Sequence, residues 1–147
     1  MEIQISFQTE TPEIQRAKIE KVLETIFEDL GCHDRELSIL FTNDDHMAEL
    51  NMQYLGRMGP TNVLAFPMEE PHQEEIVSPM LGDVVISLDT AARESRELGE
   101  SFEKTVYRLL IHGILHLLGF DHECSEAEAG KMEQEELRLK KLIEEEG

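Results

Sequence analysis

Three histidines carry most of the chemistry open to this sequence. His112 and His116 stand four apart in an apolar run, and His122 follows beyond Gly119. On a helix, positions i and i+4 share a face, so the first two imidazoles are expected to lie close enough to hold one ion. Gly119 can take the left-handed backbone that ends a helix, folding the chain back to present His122 to the same ion. Three imidazoles with no fourth protein ligand leave a tetrahedral ion open to water, the catalytic kind of zinc site. Zinc is the default for such a set, although imidazole also suits nickel, copper and iron. Cys124, two residues past His122, would close the site as a fourth ligand only by bending back sharply, and the three-histidine set is the expectation.

What the motif lacks is equally informative. The spacing matches the metalloprotease pattern H-E-x-x-H-x-x-G-x-x-H, but Gly113 stands where the general-base glutamate belongs. Those proteases use the carboxylate to move a proton. Glycine cannot do so, and ordinary proteolysis is not expected.

Several elements must position these residues. Met1 to Phe7 alternates polar and apolar and reads as a strand rather than a leader. Thr11-Pro12-Glu13 is a helix start, with Ile19, Val22, Leu23, Ile26, Phe27 and Leu30 on one face and Gly31 at the end. Leu37 to Thr42 reads as a strand, Asn43 as the cap of a short helix with Met47, Ala48 and Leu50, and Asn62 to Phe66 as a second buried strand. Pro67 to Pro79 reads as an acidic mobile loop. Leu81 to Leu88 is the next strand, Asp89 caps a helix with Ala91, Ala92 and Leu98, and Ser101 starts the helix that carries His112 and His116. Ser125 with Glu128 makes a capping box for a last helix through Met132, Leu139 and Ile143. The order βαβαββααα gives an α+β fold: residues 1–147 as a single domain, one small mixed sheet with about five helices largely on one side.

The formal net charge is −19, from 32 acidic against 13 basic residues. That argues against RNA binding through a broad basic face, and DNA is not an expected partner. A divalent ion and a few arginines can still make a positive cleft on an acidic body. Much of the acid lies in residues 69–75 and the last helix, where it reads as solubilising surface. Cys32 and Cys124 read as unpaired thiols of a reducing compartment, and the most apolar stretch, Val106 to Phe120, is too short to span a bilayer. A cytoplasmic protein without membrane contact is expected. His33, His46 and His72 have no spacing partner and read as surface residues.

The motif His112-Gly113-Ile114-Leu115-His116-Leu117-Leu118-Gly119-Phe120-Asp121-His122 resembles that of the bacterial YbeY family of ribosomal RNA maturation factors. Pro60-Thr61-Asn62-Val63-Leu64-Ala65-Phe66-Pro67 and Leu81-Gly82-Asp83-Val84-Val85-Ile86-Ser87 add to the likeness, with Leu50, Asn51 and Tyr54 upstream and Met132-Glu133 downstream. The resemblance implies a zinc-dependent endoribonuclease that cleaves single-stranded RNA in ribosomal RNA processing and ribosome quality control, with the ribosome or its proteins as partners. RNA as substrate comes from the resemblance alone.

Asp121 matches an aspartate of the family; it would accept a proton or orient a ligand, or it is a turn residue bonding its own backbone. Asp83 would orient a ligand histidine, or it stands at an exposed strand end, the reading favoured. Family members read Tyr-Arg where this chain has Tyr54-Leu55, and the arginine is credited with a catalytic or phosphate-binding part. Arg57, where the family usually has lysine, would reach the same phosphate if the loop is extended, since alternate residues then point the same way. Otherwise the function has weakened or changed. Ala65 replaces a common serine. Arg57 and Asn62 are assigned to substrate binding, and Arg57 and Asp121 to catalysis. A metal hydrolase with a non-RNA substrate and a non-catalytic, metal-stabilised ribosome-assembly factor are the alternatives.

Overall fold

Alternation with a period of two builds the sheet around which this computed structural model is organised; it describes residues 2–8, 14–32, 34–68, 80–120 and 125–146. Strands β1 (Glu2–Phe7), β2 (Glu36–Thr42) and β4 (Met80–Ser87) run parallel, and β3 (Val63–Pro67) pairs antiparallel with β4, giving the order β1-β2-β4-β3. Leu37, Ile39 and Phe41 of β2 enter one core with Val84 and Ile86 of β4. Val85 turns to the opposite face and packs with Leu64 of β3. Six of the eight residues of β4 are buried, because it has a neighbour on each edge and a core on each face.

Among the described residues the helices are α1 (Arg16–Leu30), α2 (Asp44–Leu55), α3 (Leu88–Leu98), α4 (Phe102–Leu117) and α5 (Glu126–Glu146). Together with the mixed sheet they form the α+β architecture expected from the sequence. The larger core draws on α1, α3, α4 and α5, while the smaller one, Met47 with Leu64 and Val85, lies under α2 on the other face. No helix among the described residues is long and apolar enough to cross a membrane.

Local signals behave unevenly. Asn43 caps α2 by accepting the His46 N–H at 2.9 Å, and Ser101 caps α4 by accepting the Lys104 N–H at 3.1 Å. α1 begins at Arg16, later than the Thr11-Pro12-Glu13 signal, and Gln15 at its cap makes no side-chain capping bond. Thr11, Pro12 and Glu13 lie outside the described residues, as do residues 69–79 of the expected acidic loop. The α3 cap is Ser87 rather than Asp89: the Ser87 hydroxyl is already at the strand end, while the Asp89 carboxylate turns away to accept the Asp44 N–H at 3.0 Å. Half of the expected capping box forms at α5. Ser125 Oγ accepts the Glu128 N–H at 3.1 Å, and the Glu128 carboxylate lies 3.5 Å from Lys131 instead.

Candidate active site

α4 is buried on most of its circumference, through Val106, Leu109, Leu110, Ile111, Ile114 and Leu115. Arg108, His112 and His116, spaced by four, form its less buried stripe. The two imidazole centroids are 4.9 Å apart with the rings nearly edge to face, so the expected common face exists. α4 ends as its glycine predicts. Gly119 has φ +99°, its N–H donates to the His116 carbonyl, and the Phe120 N–H reaches back to Leu115, each at 3.0 Å. This paired closure satisfies two carbonyls of the last turn and reverses the chain. Asp121, His122 and Cys124 come next and lie outside the described residues, as do His33 and His72. His46 is half-buried on α2 beside Glu49 at 3.8 Å.

Gly113 is glycine for a steric reason. It faces the sheet, and a Cβ there would stand 2.8 Å from Cγ1 and 3.1 Å from Cγ2 of Val84. Valine is stiff at χ1, and Val84 is fully buried, so α4 can lie this close to β4 only without a side chain at 113. The peptidase glutamate is thus missing from a position with no room for it.

His112 and His116 line a cleft of about 340 Å³ together with Arg57, Asn62, Val63 and Ala65. Ala65 puts a methyl where a hydroxyl would otherwise stand. Leu55 lines the same cleft as Arg57. The expected reason, an extended loop, is not what brings the two residues together. Leu55 ends α2, and Gly56 turns with φ +64°, so that the Arg57 N–H bonds the Asn51 carbonyl at 3.3 Å. A left-handed turn replaces strand alternation. Asn51 further pins this loop, donating from Nδ2 to the Gly59 carbonyl at 2.9 Å, while its buried Oδ1 has no partner among the described residues. The exposed Arg57 guanidinium makes no ion pair with any described residue, which leaves one uncompensated cation at the cleft.

Asn62 is held from behind. Its Nδ2 donates to Glu94 Oε1 at 2.8 Å, and Arg108 Nη2 bridges Glu94 at 3.2 Å and Glu100 at 3.1 Å. Burial would raise the Glu100 pKa, but the hydrogen bonds from Thr105 and Arg108 outweigh it and hold the carboxyl below its ordinary range.

The carboxylate beside a ligand candidate is not Asp83. Because Val84 faces α4, its neighbour Asp83 points to the other side of the sheet and is exposed. The partner is Glu136 on α5, whose Oε1 lies 3.0 Å from His112 Nδ1. Glu136 escaped the sequence reading because α5 looked like acidic surface. A signal was present: Glu136 interrupts the stripe Met132, Leu139, Ile143 at a position the 3.6-residue period reserves for an apolar side chain. Glu94 likewise lies one position before buried Ser95 on α3.

Fold and cleft define an α+β protein with two imidazoles and a free arginine around one opening. Comparison with known proteins is consistent across nearly the whole length. The family model described as "Endoribonuclease YbeY" matches residues 4–144. Relatives so named include one from Syntrophotalea carbinolica, 46% identical over 87% of this chain and 86% of its own. Another, from Geobacter metallireducens, is 43% identical over 100% and 99%. The Aquifex aeolicus relative is 47% identical over 88% and 85%. The solution structure of TM1509 from Thermotoga maritima superposes with a TM-score of 0.67 at 27% identity, covering 98% of this chain and 90% of that one. The chain belongs to the YbeY endoribonuclease family.

Proposed function

We propose that this protein is a zinc-dependent endoribonuclease that hydrolyses single-stranded RNA in the cytoplasm, acting on ribosomal RNA during processing and ribosome quality control. The observation that carries the reading is the convergence of His112, His116 and Arg57 on one cleft, in a chain of this family. The donor set fits the ion: two imidazoles on one helical face, one of them fixed by a carboxylate, and a chain reversal directly before a third histidine. His112, His116 and His122 hold zinc in this reading. When bound, zinc supplies Lewis-acid charge at the phosphate and lowers the pKa of water.

The chain's own groups do the rest. Arg57 offers a planar, two-pronged donor to the scissile phosphate, and no carboxylate among the described residues competes for it. Asn62, held by Glu94, contacts the neighbouring nucleotide. Asp121 takes the proton released on attack. The packed Gly113–Val84 contact speaks against a peptidase. Leu55 at the arginine position and the charge of −19 favour one second reading, a non-catalytic ribosome-assembly factor stabilised by metal.

One comparison separates these readings. Zinc-loaded protein is incubated with single-stranded RNA and with casein, alongside chelated protein and His116→Ala. RNA cleavage lost in both controls supports the endoribonuclease. Casein cleavage would replace it with a peptidase. Turnover of neither substrate, with zinc retained and ribosomes still bound, would establish the assembly factor.

A further inference from the structure

We propose that Glu136 is a positioning residue of the metal site, fixing His112 as the tautomer that carries its proton on Nδ1 and offers Nε2 to the ion. The inference rests on the metal reading above and adds a residue of α5 to it. A carboxylate oxygen accepts hydrogen bonds, and the 3.0 Å contact is satisfied by the proposed tautomer, with its proton on His112 Nδ1. Nε2 is then the ring's remaining lone pair. A carboxylate behind a ligating imidazole also holds the ring plane and raises its basicity.

The rest of α5 shows that this contact is more than incidental surface pairing. Other acids of the helix pair locally: Glu128 with Lys131 at 3.5 Å and Glu135 with Arg138 at 2.7 Å. Glu136 instead reaches across to α4, and both partners are about one-quarter exposed, 26% for His112 and 27% for Glu136. Met132 and Leu139, one turn to either side, are buried at 1% and 0%. They anchor the backbone that carries Glu136 and keep its carboxylate within reach of the ring.

The test uses the full chain and measures zinc affinity by competition with a chromophoric chelator, for wild type, His116→Ala, Glu136→Gln, Glu136→Ala and the exposed-acid control Glu133→Gln. Glu136→Ala should bind zinc about 10- to 100-fold more weakly, the usual cost of losing such a partner. Glu136→Gln, whose amide oxygen still accepts, should fall between, and Glu133→Gln should match wild type. Because Gln preserves size, the series stays informative if the alanine variant misfolds. A second readout needs no metal: imidazole nitrogen NMR of the zinc-free protein, at a pH where the ring is neutral, should report Nδ1–H at His112 in wild type and a shift toward Nε2–H in Glu136→Ala. Loss of zinc in His116→Ala with wild-type affinity in Glu136→Ala would overturn the inference and leave the metal reading standing. Unchanged affinity in both would remove the metal reading itself. An Nε2–H tautomer in wild type would overturn the inference directly.

Discussion

Asn62 and Glu94 are joined amide to carboxylate: Nδ2 lies 2.8 Å from Oε1, although the residues are 32 apart in sequence. The acceptor-only carboxylate decides which end of the amide faces it. Asn62→Asp would put two carboxylates at this contact, where both cannot ionise without cost. The substitution should cost about 1–3 kcal/mol in urea unfolding. Adding Glu94→Gln should recover most of that loss, because the new amide can donate to the new carboxylate. Additive losses in this double-mutant cycle would show that the pair is not coupled.

Arg57 tests the substrate side. Arg57→Ala should cut RNA turnover by roughly 10- to 1,000-fold, the range for losing a charge-stabilising donor, with zinc content unchanged. Arg57→Lys should recover only part, since a point charge lacks the fork. Leu55→Arg should raise activity modestly, because both positions already face one cleft. A silent Arg57→Ala with a large gain in Leu55→Arg would mean that the native cleft lacks a working clamp.

Gly113→Glu should yield no protease. Its Cβ alone meets Val84 at 2.8 Å, so melting should fall by the equivalent of about 1–3 kcal/mol, as in other overpacked cores. Efficient casein cleavage by a stable Gly113→Glu protein would contradict the packing argument.

Acid should destabilise the fold in a defined direction. Glu100 and Asp44 are held below their ordinary values of 4.5 and 3.8, because hydrogen bonds and Arg108 or Arg93 outweigh burial. An unfolded chain takes up these protons first. The stabilisation is therefore full above the ordinary carboxylate values and lost as pH falls through the lower folded ones. Urea midpoints measured from about pH 6 down to about pH 3 should decline. Arg108→Ala should flatten the Glu100 part of the decline, and an unchanged slope would show that the cation does not hold that carboxyl.

Local rules made much of this site legible. Ser101 and Gly119 mark the ends of α4 because caps and left-handed turns are set by neighbours in sequence, and the i, i+4 rule alone puts His112 beside His116. The element order followed for the same reason. Contacts that depend on docking were not legible. Glu136 meets His112 across 24 residues only because α5 lies against α4, and no periodicity states which helix a stripe will face. Asp83 is exposed, as the favoured sequence reading had it, because the pleat of β4 turns it away from α4. Arg57 lines the same cleft as Leu55 through a single positive φ at Gly56 rather than through an extended loop.

The contact between Gly113 and Val84 also orders the mutational paths open to this sequence. A carboxylate at 113 introduced alone meets Val84, and Val84→Ala by itself opens a void in a fully buried strand. Each single step therefore costs packing, and the two costs should partly cancel in the double variant, which is epistasis between a helix and a strand. As long as valine stands at 84, the sheet itself favours glycine at the second motif position, whatever reaction selection asks of the histidines.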